Sequence, residues 1–244
     1  MSGHRPTPPS ILFEDGELLA VNKPEGLSAI PERDLAVACA QRLLEAARGE
    51  KLFAVHRLDK EVSGLLLFAK NADAHRRLSI AFERREVDKR YLALAWGVPE
   101  ARSGEMAAPI REFGSGRMGV DARGKPSLTR WRLLGEGALR GQPVALLELS
   151  PHTGRRHQLR VHAYAMGHPL VGDPSYGPKE LQVLEPRLAQ HALAIALSLS
   201  GNDHALMAPP PPSFVLHAGA AGLEAALERQ VQGALGSKPK PASS

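Results

Sequence analysis

Apolar and polar positions along the chain fall into short runs broken by Gly, Pro and Asx residues. Residues 11–13 and 18–21 are apolar around Asp15-Gly16, which predicts a β-hairpin closed by Pro24 and Gly26. From 35 to 48 the apolar residues Leu35, Ala36, Cys39, Ala40, Leu43 and Leu44 share one helical face. Gly49 supplies a stop, so a helix with Cys39 packed inward is expected. Runs at 52–55 and 65–69 predict buried strands around a polar loop. Asn71 can cap a helix over 71–84 with Ala74, Leu78 and Phe82 on one face. Further strands are expected at 89–96, 128–134 and 144–149, with a long Gly/Arg/Pro-rich loop or hairpin at 99–126. A helix follows at 158–166, then a mixed apolar segment at 188–200. The run APPPPSF suits an edge turn, and residues 223–235 suit a terminal amphipathic helix. Strands and helices interleave irregularly, which predicts an α+β fold. The expected organisation is a disordered arm over 1–10, one domain over 11–218, and a C-terminal helix and tail over 219–244, disordered from Gly236.

Composition narrows the classes. The chain has 244 residues, 43% of them hydrophobic and 23% charged, as in soluble globular proteins. Aromatics make up 5%, which argues against a single-strand binder built on many stacking platforms. One cysteine excludes an internal disulfide framework and any multi-cysteine metal site. No apolar run approaches the roughly 20 residues of a membrane-spanning helix. The start, MSGHRPTPPS, lacks the apolar stretch of a secretory signal, so a cytoplasmic location is expected.

Charge points to a polyanion. The net charge is +5, and 22 Arg against 9 Lys make it mostly guanidinium, a planar fork suited to phosphate and base edges. Residues 84–90, RREVDKR, carry an excess of cations. Residues 151–168 hold three Arg and four His with no acid at all. An acid-free stretch of that length favours a nucleic acid partner.

Several familiar patterns fail on context. Gly114, Gly116 and Gly119 spell GxGxxG, and Gly119, Gly124 and Lys125 spell GxxxxGK. The first lacks its strand and helix, and the second has Pro126 where Ser or Thr would bind magnesium. His157 and His162 lie five apart, which does not stack two imidazoles on one helix face, and no acid completes a ligand set between His152 and His168. No GxSxG elbow is present. Neither a metal nor a nucleotide cofactor is expected.

The strongest constellation is His56-Arg57-Leu58-Asp59 between two apolar strands. Taken alone, such an aspartate is most simply a turn former. The cluster TGRRHQLRVH at 153–162 adds guanidinium groups able to keep a partly buried carboxylate ionised, as a nucleophilic carboxylate requires. HRLDKEVSGLLLFAK at 56–70 resembles the HRLDxxTSGLLLxAK signature of the RluA-type pseudouridine synthases. Three further blocks agree in order and spacing: VNKPEGL at 21–27, KRYLALAWG at 89–97, and HTGRRHQLRVHAYAMGHPLVGDPSYG at 152–177. The resemblance spans roughly residues 11–217.

That resemblance implies a pseudouridine synthase fold, with a mixed, mostly antiparallel central sheet flanked by helices and a basic RNA-binding cleft. It implies that Asp59 is the catalytic aspartate, that Tyr91 packs on the target base and takes part in proton removal, and that Arg160 pairs with the catalytic carboxylate. Arg57 would hold the flipped target or fill its place, and Leu193 would wall the uracil pocket. His56, Lys89, Arg90, Lys125, Arg155, Arg156, His157 and Gln158 are RNA-facing or supporting in this reading. The implied reaction converts uridine in RNA to pseudouridine without cofactor or metal, the base being flipped out of its stack at a cost of a few kcal/mol. One position departs from the signature: Val62 stands for the usual Thr, which predicts a less firmly held Asp59 loop unless Ser63 compensates.

The competing reading is a non-catalytic RNA-binding or RNA-folding protein that keeps the fold. The RsuA-type synthases, which carry GRLD, are disfavoured by HRLD and HQLRVH. Because NKPEGL begins so early, a compact member without an N-terminal RNA-binding domain is expected. Its substrate would be rRNA, tRNA or both, with LSAIP leaning toward short stem-loops. A monomer is expected.

Overall fold

In a computed structural model, residues 7–34, 36–114 and 116–235 are described. The strands in chain order are β1 (Ser10–Glu14), β2 (Leu18–Lys23), β3 (Phe53–Ala54), β4 (Ser63–Ala69), β5 (Asp88–Trp96), β6 (Ser103–Ala107), β7 (Ile110–Glu112), β8 (Met118–Val120), β9 (Leu128–Leu139), β10 (Gln142–Pro151), β11 (Gln190–Leu199) and β12 (Asn202–Met207). The helices are α1 (Ala40–Arg48), α2 (Ala72–Glu83), α3 (Gln158–Ala165), α4 (Lys179–Gln182), α5 (Pro212–Ala220) and α6 (Glu224–Leu235). The fold is α+β, and the chain forms two compact units. Of the described residues, unit 1 holds those up to Val87 together with Ala194–Pro209, and unit 2 holds Asp88–Leu193 and those from Pro210 to Leu235.

Unit 1 shows how the period-two and period-four patterns meet. β1 and β2 form the hairpin expected at Asp15-Gly16, where the Asp15 carboxylate accepts the N–H groups of Glu17 and Leu18 at 2.8 and 2.7 Å. β2 pairs with β4, and β11 with β12, all antiparallel. Alternate residues Leu18 and Ala20, Leu65 and Leu67, and Ile195 and Leu197 enter one core. Ala74, Leu78 and Ala81 of α2 close over it, so truncating Leu78 to Ala would cost about 2–5 kcal/mol. The Asn71 cap is present, its side chain accepting Ala74 N–H at 2.8 Å.

Unit 2 is built on the antiparallel order β5-β10-β9-β6. β9 and β10 are a long hairpin turning at Arg140 and Gly141, both with positive φ. β7 and β8 form a second, smaller hairpin. α5 and α6 pack on β9, where a Cβ at Gly135 would meet Leu223 and Ala226.

Several expectations need correction. α1 begins at Ala40 rather than Leu35, which lies outside the described residues. The Ser28 and Ala29 carbonyls accept the N–H groups of Ala40 and Gln41, so Cys39 itself is extended and sits at the helix cap, buried, after a turn at 34–37. The proline run leads into α5 with a proline in its first turn, a position that needs no N–H donor, so it starts a helix rather than an edge turn. The segment 188–200 is mostly strand, and α4 was not foreseen. The expected arm is only partly described, since 1–6 fall outside the described residues and Ser10 already belongs to β1; the expected tail from Gly236 falls outside them.

Candidate active site

The HRLD segment leaves the unit 1 sheet for an identifiable reason. β3 pairs with β4 through only Phe53↔Ala69 and Ala54↔Phe68. At the next donor along β4 the His56 ring takes over: Leu67 N–H donates to Nε2 at 3.0 Å, and the imidazole stacks on Phe82 with centroids 5.0 Å apart. The chain then turns outward. Arg57 is exposed, Leu58 and Val62 are buried, and Asp59 lies half-buried between them. Two aliphatic anchors thereby present one carboxylate at the surface. Val62 N–H donates to the Asp59 carbonyl at 3.1 Å, so backbone closes the turn at the position where the signature carries a hydroxyl.

Lys23, which sequence reasoning did not single out, pins the same turn. Its side chain is fully buried and Nζ donates to the carbonyls of Pro24 at 2.9 Å, Leu27 at 2.7 Å and Lys60 at 3.2 Å. Gly26 N–H donates to the Lys60 carbonyl as well, at 2.8 Å. The NKPEGL turn and the HRLD turn are therefore one hydrogen-bonded body. Burial pulls the Lys23 ammonium down to about 8, against the nearby charges of Glu25, Glu61 and Asp59. The available signal was a lysine at the end of a strand that opens with four apolar residues, where burial demands internal acceptors.

In unit 2, Arg160 is 2% exposed and grips a carboxylate. Nε donates to Asp173 Oδ2 and Nη2 to Asp173 Oδ1, both at 2.7 Å, a bidentate geometry. Asp173 Oδ1 also accepts the N–H groups of Ser175 at 2.8 Å and Tyr176 at 3.1 Å. The Tyr176 ring lies 5.1 Å from the guanidinium carbon, and its hydroxyl meets His157 Nδ1 at 2.8 Å. Burial raises the Tyr176 pKa, so the phenol keeps its proton. Asp173 was legible in the GDPSYG block, as the first acid after the acid-free stretch.

Gln158 is a supporting residue rather than an RNA contact. It is buried, its Nε2 donates to Leu128 O and Thr129 Oγ1, and its Oε1 accepts from Thr153 Oγ1 and Arg155 N. Its whole hydrogen-bonding capacity is used inside the fold. His162 continues the network. Nε2–H donates to Ala108 O at 3.0 Å, so Nδ1 accepts the Thr129 hydroxyl at 2.9 Å. Burial lowers its pKa. This network fixes the loop that precedes α3 and hence the helix carrying Arg160.

The other predicted site residues are placed as follows. Tyr91, Lys89 and Arg90 lie half-buried in β5, with Tyr91 opposite Leu149 of β10. Lys125 and Arg156 are exposed, Arg155 is half-buried, and Leu193 is fully buried in β11. Arg156 approaches Glu112 at 3.7 Å. His157 takes a left-handed conformation, φ 54°, at the head of α3. Asp59, Arg57 and His56 belong to unit 1 and the remaining site residues to unit 2. Two glycines of the rejected phosphate motifs, Gly119 and Gly124, have packing roles. A Cβ at Gly124 would come within 2.6 Å of the Ile110 backbone, and Gly119 lies under the Phe113 ring.

Comparison with known proteins settles the class. The chain belongs to the RNA pseudouridylate synthase family, whose model matches residues 17–165, and within it to the RluA type. It is 38% identical over 212 residues to an uncharacterised RNA pseudouridine synthase of Zymomonas mobilis, covering 84% of this chain and 94% of that protein. It is 35% identical to the dual-specificity RNA pseudouridine synthase RluA of Escherichia coli, covering 82% and 92%. Among solved structures, human RNA pseudouridylate synthase domain containing 1 superposes with a TM-score of 0.77 at 30% identity, covering 98% of this chain and all of that one. The protein is an RNA pseudouridine synthase, an isomerase acting on uridine in RNA, and the binding-only alternative is not favoured.

Proposed function

We propose that Asp59 is the catalytic carboxylate of this synthase and that Tyr91 and Arg160 also take part in the reaction. The observation that carries the assignment is the Asp59 turn, where buried Leu58 and Val62 hold a half-exposed carboxylate on a loop pinned by Lys23. An isomerisation at ribose needs such a group, ionised and held in place.

The reaction breaks the bond from uracil N1 to ribose C1′, turns the base, and joins C5 to C1′. N1 ends with a proton, and the proton on C5 leaves to solvent. Asp59 acts on the ribose, as nucleophile or as base. Tyr91 packs on the base and takes part in removing the C5 proton. Arg160, whose charge Asp173 orients, supports the ionised Asp59. Arg57 holds the flipped nucleotide or fills the vacated stack, and Leu193 walls the uracil. Lys89, Arg90, Lys125, Arg155 and Arg156 contact phosphates, which position the RNA without choosing its sequence.

A relative named as a ribosomal large subunit pseudouridine synthase favours rRNA, and the name dual-specificity on several others favours more than one RNA target, which we take to be rRNA and tRNA. In this reading the enzyme works as a monomer in the cytoplasm without a nucleotide cofactor. The test is tritium release from C5-labelled uridine in bulk tRNA and rRNA, comparing wild type with Asp59→Asn. Release by wild type alone establishes the role of Asp59 and identifies the RNA pool. Equal release by both removes that role.

A further inference from the structure

The β7–β8 hairpin and the Arg160–Asp173 pair meet at one side chain. Ile110 and Met118 of the hairpin form a small buried cluster with Val161 of α3 and Tyr176. Met118 N–H donates to the Tyr176 hydroxyl at 3.1 Å, at the start of β8. The same hydroxyl meets His157 Nδ1 at 2.8 Å, at the head of the helix that carries Arg160. The Tyr176 ring then covers the Arg160 guanidinium, and its backbone N–H donates to the counter-ion Asp173. A displacement of this phenol therefore shifts both members of the ion pair, because close-packed interiors transmit strain.

The opposite face of the hairpin is made for contact. Phe113 is 38% exposed, lies on Gly119, and carries the Arg111 guanidinium 4.7 Å from its ring centroid. An exposed aromatic ring with a cation stacked on it is a platform for a nucleobase and its phosphate. Arg117, exposed and immediately before β8, places its guanidinium carbon 5.6 Å from the Tyr176 ring centroid instead. None of these three was singled out by the sequence pattern.

We infer that Tyr176 is a positioning residue that couples RNA engagement by the β7–β8 hairpin to the placement of Arg160. RNA seated on Arg111 and Phe113 sets the hairpin, Met118 holds the phenol, and the phenol holds the Arg160–Asp173 pair in its working position. The inference rests on the role proposed above for Arg160.

The experiment is a double-mutant cycle on single-turnover tritium release at saturating labelled RNA, with RNA affinity measured in parallel. Tyr176→Phe keeps the ring over Arg160 and removes both hydroxyl contacts, so the rate falls about tenfold with affinity little changed. Arg111→Ala, which does not touch Tyr176, lowers affinity and slows the saturated rate in the wild-type background. In the Tyr176→Phe background it lowers affinity but no longer slows that rate, the non-additivity that marks coupling. Additive rate effects, or saturated rates unchanged in either single variant, overturn the inference. If Tyr176→Phe does not fold, the Arg160 Nε–H resonance is followed as RNA is added to wild type and to Arg111→Ala. A shift in the first and none in the second is expected, and equal responses overturn the coupling. Arg160→Lys is the control: full turnover there overturns the role of Arg160 itself rather than the coupling.

Discussion

Arg160 and Asp173 form a bidentate, almost fully buried ion pair, with both contacts at 2.7 Å. The pairing changes how Arg160 must be tested. Removing the guanidinium also strands a buried carboxylate, so a loss of activity in Arg160→Ala mixes chemistry with folding.

Asp173→Ala should destabilise the protein by about 3–5 kcal/mol, because it leaves Arg160 charged and buried without this counter-ion. Urea unfolding of Asp173→Ala beside Arg160→Lys checks this. A change under 1 kcal/mol in Asp173→Ala would show that the pair contributes little to the fold.

Asp59→Asn should behave differently. The side chain is half-exposed and the substitution is nearly isosteric, so the melting temperature should stay close to wild type. Turnover should fall by at least the roughly 10²–10⁴-fold typical of a lost catalytic group. Thermal melting and tritium release, run on one preparation, separate the two effects.

Lys23 predicts opposite pH trends for stability and activity. Its folded pKa of about 8 lies below the ordinary 10.5, so between those values the unfolded chain holds the proton that the folded chain gives up. Stability should therefore rise with pH across that window. Turnover should fall as pH passes about 8, since a neutral amine donates one hydrogen fewer and no longer offers positive charge to the Asp59 turn. Rate profiles of wild type and Lys23→Met decide it: an alkaline limb that survives in the variant belongs to another group.

His162 predicts an acid limb. Burial lowers its folded pKa below 6.5, so its contribution is fully present above that pH and is lost as pH falls through the folded value. Protonated Nδ1 could no longer accept the Thr129 hydroxyl. Unfolding free energies measured from neutral to mildly acid pH should show a decline that is shallower in His162→Gln.

Gln158→Leu should cost about 1–3 kcal/mol by stranding the buried groups around it. RNA affinity, measured by filter binding, should fall less than in Arg156→Ala. The reverse order would return Gln158 to the RNA-contacting set.

Local pattern carried much of this protein. The apolar runs of β2 and β4, the four-residue spacing of Ala74 and Leu78, and the Asn71 cap are short-range features, and all appear as expected. The HRLD block by itself indicates only a turn with an aspartate in it; that buried Leu58 and Val62 flank the carboxylate is a tertiary finding. What local pattern could not supply is the identity of partners far along the chain. The start of α1 depends on carbonyls at Ser28 and Ala29 that claim its first donors. Lys23 is explained only when Lys60, 37 residues away, supplies a carbonyl.

The basic stretch makes the same point. Its sequence determined that Arg155, Arg156, His157, Gln158 and Arg160 lie together and that no acid lies among them. Tertiary structure alone decided which face water or RNA and which are used inside the fold. Side chains of one loop diverge according to the buried donors and acceptors each can reach, and those are set by Leu128, Thr129, Asp173 and Tyr176 arriving from other elements. Residue type fixes what a group can do, but burial and partners in space decide which of those things it does.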